Sequence, residues 1–320
     1  CDTMDAHLHT RDWLSIITVN MPDSLTTTVQ FFVKAWSLYE TRGTNWLAHF
    51  LEHMFFKWWK SYPTAMDVAH AVDSMWAESN AYTSDDHASY YIKSTPDHVL
   101  TSVDILSDMI IHARFPEDEI KKEQWVVIQE IMMYNDDPSS LVHDKRASWL
   151  FGDTPAGRPI LWTPETVRSF DRHALNRYKN DLYTKDNTVI VVAGAIQDTD
   201  ALLDHIAHAC KEMPTQTHIP TTSAPQITTS KHSSYIDKNT EQNHLIMSIL
   251  TDIHGNDPRR YAAGILGRIL WWGMASRLFQ EIREKEWLCY YVWWWHYSEI
   301  DHGMLMIRAW LSKERFEYGC

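Results

Sequence analysis

Five residues, His49-Phe50-Leu51-Glu52-His53, constrain this chain more than any other stretch. On a helix, side chains four apart lie on one face, one above the other. His49 and His53 are so spaced, and two neutral imidazoles held that way can chelate one Zn²⁺. Glu52 shares the face. It can reach water at the metal without ligating the metal itself, and a carboxylate there can take up a proton as that water attacks a carbonyl. The segment therefore predicts a helix across residues 45–58 with one polar, metal-binding face. The two imidazoles alone fit an ordinary helix surface as well, because the chain holds 18 His.

A hydrolytic zinc site needs a third protein ligand and an open fourth position. Residues Pro116 to Tyr134 read as an amphipathic helix that carries Glu123 and Glu130, seven apart and so on one face. Val127, Ile128, Ile131 and Met132 surround Glu130. An acid in so apolar a stretch is more often partnered than free.

Asn45-Trp46-Leu47-Ala48-His49-Phe50-Leu51-Glu52-His53-Met54-Phe55-Phe56-Lys57 resembles the zinc-binding segment of the insulinase/pitrilysin peptidases, the inverted H-x-x-E-H zinc peptidases. The resemblance implies a third ligand about 77 positions beyond the second His, which falls on Glu130. It also implies a supporting acid seven residues earlier, which falls on Glu123. Ser79-Asn80-Ala81-Tyr82-Thr83-Ser84 is similar to the family's edge strand, where substrate adds as a further strand. Asn80, Ala81 and Thr83 carry over as substrate-binding positions, although the residues alone would suit an ordinary polar strand. The segment from Ser276 to Val292 resembles the family's later helix, whose Arg and Tyr, seven apart, hold substrate and a developing oxyanion. Arg283 and Tyr290 match that spacing.

What the resemblance implies is an α+β protein of two related domains, each a mainly antiparallel sheet backed by helices. The expected division is 1–220, the zinc-binding catalytic domain, and 221–320, a partial second domain that encloses substrate. The implied activity is that of a zinc metalloendopeptidase with one Zn²⁺ per chain, acting on short or unfolded peptides. Pairing with a second copy or a related chain is implied too. A noncatalytic subunit of the same family is the alternative, against which the complete H-x-x-E-H argues.

Composition bounds the rest. A chain of 320 residues supports about two domains. A net charge of −13 argues against nonspecific nucleic-acid binding and anionic membranes. No apolar run reaches the roughly 18 residues that suggest a membrane span, and no signal-like segment opens the sequence. Cys1, Cys210, Cys289 and Cys320 are dispersed, which fits a reducing compartment and puts N and O donors on the zinc. The expected location is cytoplasmic, with the mitochondrial matrix as alternative.

Strands are expected at 14–19, 26–33, 82–93 and 187–194, and helices at 65–75 and 98–113. Met213 to Ser234 reads as a linker. A second series follows: a strand at 244–250, helices at 257–270 and 276–286, then a strand, echoing the first half as a diverged repeat. Asp85-Asp86-His87 reads as an exposed turn rather than a second metal site. His296 and His302 read as solvated, and Trp293-Trp294-Trp295 as a buried or interface strand.

One compositional feature departs from the family. Trp13, Trp36, Trp46, Trp58, Trp76, Trp162, Trp271, Trp272 and Trp287 stand where it usually has Gly, and the chain holds 16 Trp against 10 Gly. Glycine serves positive φ and close backbone approach, neither of which Trp does cheaply.

Overall fold

The computed structural model describes residues 5–35, 39–40, 44, 47–57, 59–83, 87–152, 154, 157, 163–215, 233–299 and 302–315. It divides into two compact units, residues 1–128 with 164–222 and residues 129–163 with 223–320.

The first unit is built on a six-stranded sheet. Its strands are β1 (Ala6–Arg11), β2 (Leu14–Asn20), β3 (Thr27–Val33), β4 (Glu78–Thr83), β5 (Ala88–Ser94) and β6 (Thr188–Gly194), in the order β1-β2-β6-β3-β5-β4. All neighbours are antiparallel except β2 and β6, where Ser15 to Asn20 run parallel to Val189 to Gly194. Central strands β3 and β6 alternate buried and half-buried residues. Such strands are covered on one face and partly covered on the other. The expected single strand over 82–93 is instead a hairpin: β4 ends at Thr83 and β5 starts at Ala88, with Asn80 opposite Tyr91. Strand β4 closes one edge of the sheet.

Helices α1 (Leu47–Phe55), α2 (Ala65–Ser74), α3 (Val99–His112), α4 (Glu117–Asp136), α5 (Pro138–Phe151), α6 (Pro164–Arg168), α7 (Arg172–Leu182) and α8 (Thr199–Ala209) complete the chain up to the linker. Sequence signals fix their ends. Thr64, Asp137, Asp171 and Asp198 cap α2, α5, α7 and α8 through side-chain oxygens on first-turn N–H groups. Three acids open α4, where the helix dipole favours them.

The second unit holds a three-stranded antiparallel sheet of β7 (Gln242–Thr251), β8 (Cys289–Ser298) and β9 (Gly303–Ser312), ordered β7-β9-β8. Helix α9 (Arg259–Leu270) lies between β7 and β8 in sequence, and a π-helical segment, Phe279–Lys285, stands where an α-helix was expected over 276–286. Cys289, Val292, Ala309 and Leu311 form a small core there. Trp294 is buried between exposed Trp293 and Trp295, the alternation of a strand with one covered face. His302 is buried against the Phe151 ring, with centroids 4.8 Å apart, which corrects its reading as solvated. Most of the linker, together with Asp85, Asp86 and Asp301, lies outside the described residues. The mainly antiparallel, helix-backed α+β architecture is as expected.

Candidate metal centre

Helix α1 shows why the motif reads so clearly. Leu47, Ala48, Phe50, Leu51, Met54 and Phe55 are all buried. Phe50 packs edge-on against Phe170, and Phe55 against Tyr90 and Tyr183. With that face committed to the core, His49, Glu52 and His53 must share the other, and all three are half-buried.

Their geometry is that of a chelating pair. His53 Nε2 lies 3.1 Å from His49 Nε2. Two imidazole nitrogens on one tetrahedral zinc, each at 2.0–2.1 Å, would stand about 3.3 Å apart. The other ring nitrogen, His53 Nδ1, is 2.7 Å from Glu123 Oε1. A carboxylate accepting the Nδ1 proton fixes the tautomer that leaves Nε2 with its lone pair turned to a metal.

Glu123 lies on α4 and is only 3% exposed. Burial raises its pKa, yet hydrogen bonds from His53 and Lys57 outweigh burial and hold it below the ordinary carboxylate value. Lys57 Nζ sits 2.8 Å from its second oxygen. Lys57 was missed in the sequence, although it lies four residues beyond His53 on the path out of α1.

Glu130 follows Glu123 by two turns of α4 and is half-buried. One oxygen of Glu130 and one nitrogen from each of His49 and His53 all lie within 4.8 Å of one another. Two imidazoles and a carboxylate are a donor set suited to zinc, with a fourth position left for water. The residues present fit the ion. Among the described residues this is the one group of three or more His, Cys, Asp or Glu side chains so gathered. The two tyrosines packed on Phe55 of α1, Tyr90 and Tyr183, have their hydroxyls 2.8 Å apart. Burial chiefly, with each other and the charge of Glu52 adding to it, raises the Tyr90 phenol well above its usual value.

The remaining candidates are placed as follows. Asn80, Ala81 and Thr83 lie on edge strand β4; Asn80 is exposed and accepts from the Ala81 N–H at 2.8 Å. Arg283 and Tyr290 are brought together in the second unit. The Arg283 guanidinium lies 5.2 Å from the Tyr290 ring centroid and 4.6 Å from that of Phe279, and Tyr290 is exposed. His296 is half-buried beside Thr251 and Ser298.

Known proteins resemble the chain throughout. Residues 15–164 match the family described as Insulinase (Peptidase family M16), and residues 169–318 match the Peptidase M16 inactive domain. An uncharacterized zinc protease of Bacillus subtilis is 36% identical over 295 residues, 91% of this chain and 70% of that protein. One from Rickettsia bellii is 33% identical over 96% of this chain and 73% of its own length. Among solved structures, a peptidase M16 inactive domain from Pseudomonas fluorescens superposes with a TM-score of 0.89 at 17% identity, covering 98% of this chain and 76% of that one. A protease from Helicobacter pylori gives 0.85 at 17% identity, covering 96% and 75%. At such identity the structures speak for the fold alone.

Proposed function

Because the chain belongs to the insulinase (M16) peptidase family, we propose that it is a zinc-dependent endopeptidase with one Zn²⁺ held by His49, His53 and Glu130. The observation that carries this reading is the convergence of those three side chains on one point, with His53 oriented from behind by Glu123. Zinc in such a set polarises a carbonyl and acidifies water. The chain's own residues supply the rest. Glu52, beside His53 on the same face, takes the proton of the attacking water and returns it to the departing amine. Glu123 and Lys57 keep His53 in place and in its metal-facing tautomer.

Strand β4 supplies the substrate surface. A peptide in extended form adds beside Asn80, Ala81 and Thr83 and pairs main chain to main chain, so recognition depends on extension more than on sequence. Arg283 and Tyr290, a stacked pair of donors, assist at the developing oxyanion. A second copy or a related chain encloses the substrate. Digestion of a peptide library with and without chelator tests the reading. Cleavage that stops with chelator and returns with zinc is expected; cleavage indifferent to chelator, or none from a zinc-loaded chain, would overturn it.

A further inference from the structure

We infer that Glu40 is a positioning residue for the metal-binding helix, setting how deep and at what rotation α1 presents His49 and His53. The inference rests on the zinc reading above. The first N–H groups of a helix have no partner within it. In α1 that end is buried, with Leu47 and Ala48 at 1% and 0% exposure, so water cannot serve them. The Leu47 N–H donates to the Thr44 carbonyl at 3.0 Å. The Ala48 N–H, next to His49, donates to Glu40 Oε1 at 2.8 Å. Glu40 is 4% exposed and eight residues upstream, so this is a cap from a distant acid rather than from the residue that starts the helix.

A carboxylate at the positive end of a helix is electrostatically favoured. Glu40 also neighbours a second element. It lies near fully buried Tyr178 of α7, whose phenol is raised well above its usual value by burial and then by the Glu40 charge. Glu40 therefore caps the start of α1 on the side of α7, which packs alongside it. Loss of that cap frees α1 to slide or turn by a fraction of a turn, and His49 is the first side chain to move.

The test compares Glu40→Gln, Glu40→Asp and Glu40→Ala. The zinc dissociation constant is measured by chelator competition, the absorption spectrum after cobalt substitution, and the melting temperature without metal. Glu40→Gln keeps an acceptor at the same reach and should keep the parent spectrum, with a dissociation constant within about threefold. Glu40→Asp withdraws the oxygen by one methylene and should weaken zinc about tenfold or more and alter the cobalt spectrum, the range seen when a group supporting a ligand is lost. Glu40→Ala should do the same or more, and Glu40→Asp decides the matter should the alanine variant not fold. Parent affinity and spectrum in Glu40→Asp would overturn the inference. A parent chain that binds no zinc would instead overturn the metal reading itself.

A second inference rests on the backbone alone. Trp13, Trp76 and Trp287 have φ of 70°, 51° and 53°, the left-handed region that disfavours side chains. Each occupies a turn of a type that selects glycine. Asp12 (φ 46°) and Trp13 form the two-residue connection between Arg11 and Leu14, which pair across β1 and β2. Positive φ at both central residues is the type I′ hairpin, for which Asp-Gly is a preferred pair. Trp76 follows the C-cap of α2; its N–H donates to the Asp73 carbonyl at 2.9 Å and that of Ala77 to Val72 at 3.3 Å. Those two bonds define the Schellman motif, with Trp76 at its glycine position. Trp287 stands at the corresponding place after the π-helical segment, where the Leu288 N–H closes on the Ile282 carbonyl at 3.0 Å.

Burial offsets little of the strain, because the three side chains are 72%, 95% and 76% exposed. We infer that the natural chain carries glycine at all three positions, specified by UGA, a codon that some genetic codes read as tryptophan and others as glycine. Peptide mass spectrometry of the protein from its own organism, with the three codons sequenced, tests this. Glycine masses and UGA codons at 13, 76 and 287 are expected; tryptophan in any of the three peptides would overturn the inference.

Discussion

Replacing Trp76 by glycine should stabilise the first unit, and the magnitude follows from the structure. A residue with a Cβ in the left-handed region costs roughly 1–2 kcal/mol. Against that release stand two losses. The indole is 95% exposed, so only about 5% of its roughly 250 Å² is covered; at about 25 cal/mol/Å² its removal forfeits about 0.3 kcal/mol. Glycine also gives the unfolded chain more freedom, worth about 0.4–1 kcal/mol. The balance, about 0.5 kcal/mol at its centre and about 1.3 kcal/mol at most, favours Trp76→Gly, and both Schellman bonds stay intact. In a unit of this size that is a rise in Tm of about 2–4 °C per kcal/mol. Trp76→Ala is the control, since alanine removes the indole but keeps the Cβ and its strain. Scanning calorimetry or near-ultraviolet circular dichroism of both variants reads the result. A Tm for Trp76→Gly at or below that of Trp76→Ala would refute the reasoning, because the backbone would then not be where the strain lies.

Other perturbations have equally definite outcomes. Glu130→Gln should lower zinc content and raise the zinc dissociation constant by tenfold or more, measured by chelator competition; parent affinity would place the third ligand elsewhere. Tyr290→Phe should depress kcat on any cleavable peptide while zinc content stays at the parent level, and an unchanged kcat would remove the second unit from the chemistry. His143, half-buried near Arg146 and Arg308, has its pKa lowered to about 4, by desolvation first and then by those charges. The unfolded chain, with an ordinary value near 6.5, binds more protons between those limits, so stability is lost as pH falls from about 6.5 towards 4. His143→Gln should flatten the acid limb of a Tm–pH profile over that window; an unaltered limb would contradict the assignment.

How far the sequence revealed the site depended on how local each part is. The spacing of His49, Glu52 and His53 is a property of one helical turn and was plain. Glu130 is remote in sequence, and its apolar setting marked it as partnered; only the family resemblance tied it to His53. Glu40 and Lys57 escaped notice because each acts through a tertiary contact, the first with a main-chain N–H and the second with Glu123. Strand β1 was missed because it is largely exposed, with no buried alternation to mark it. The hairpin β4–β5 read as one strand because Tyr82, Thr83, Tyr90, Tyr91 and Ile92 are strand formers on both sides of Asp85-Asp86-His87, and the turn those three residues signal was not allowed to divide it. Conversely, the excess of tryptophan at glycine-like positions was visible at once. Its physical meaning waited for the φ angles, which no composition contains.

The central claim is that Glu52 moves the proton in a zinc site built on α1 and α4. It is tested most directly by the turnover of a cleavable peptide by Glu52→Gln against the parent, both carrying one zinc per chain. The amide keeps the shape of the side chain but cannot accept a proton at neutral pH, so kcat should fall by about 10²–10⁴ with zinc retained. Turnover near the parent rate from the zinc-loaded variant would contradict the account.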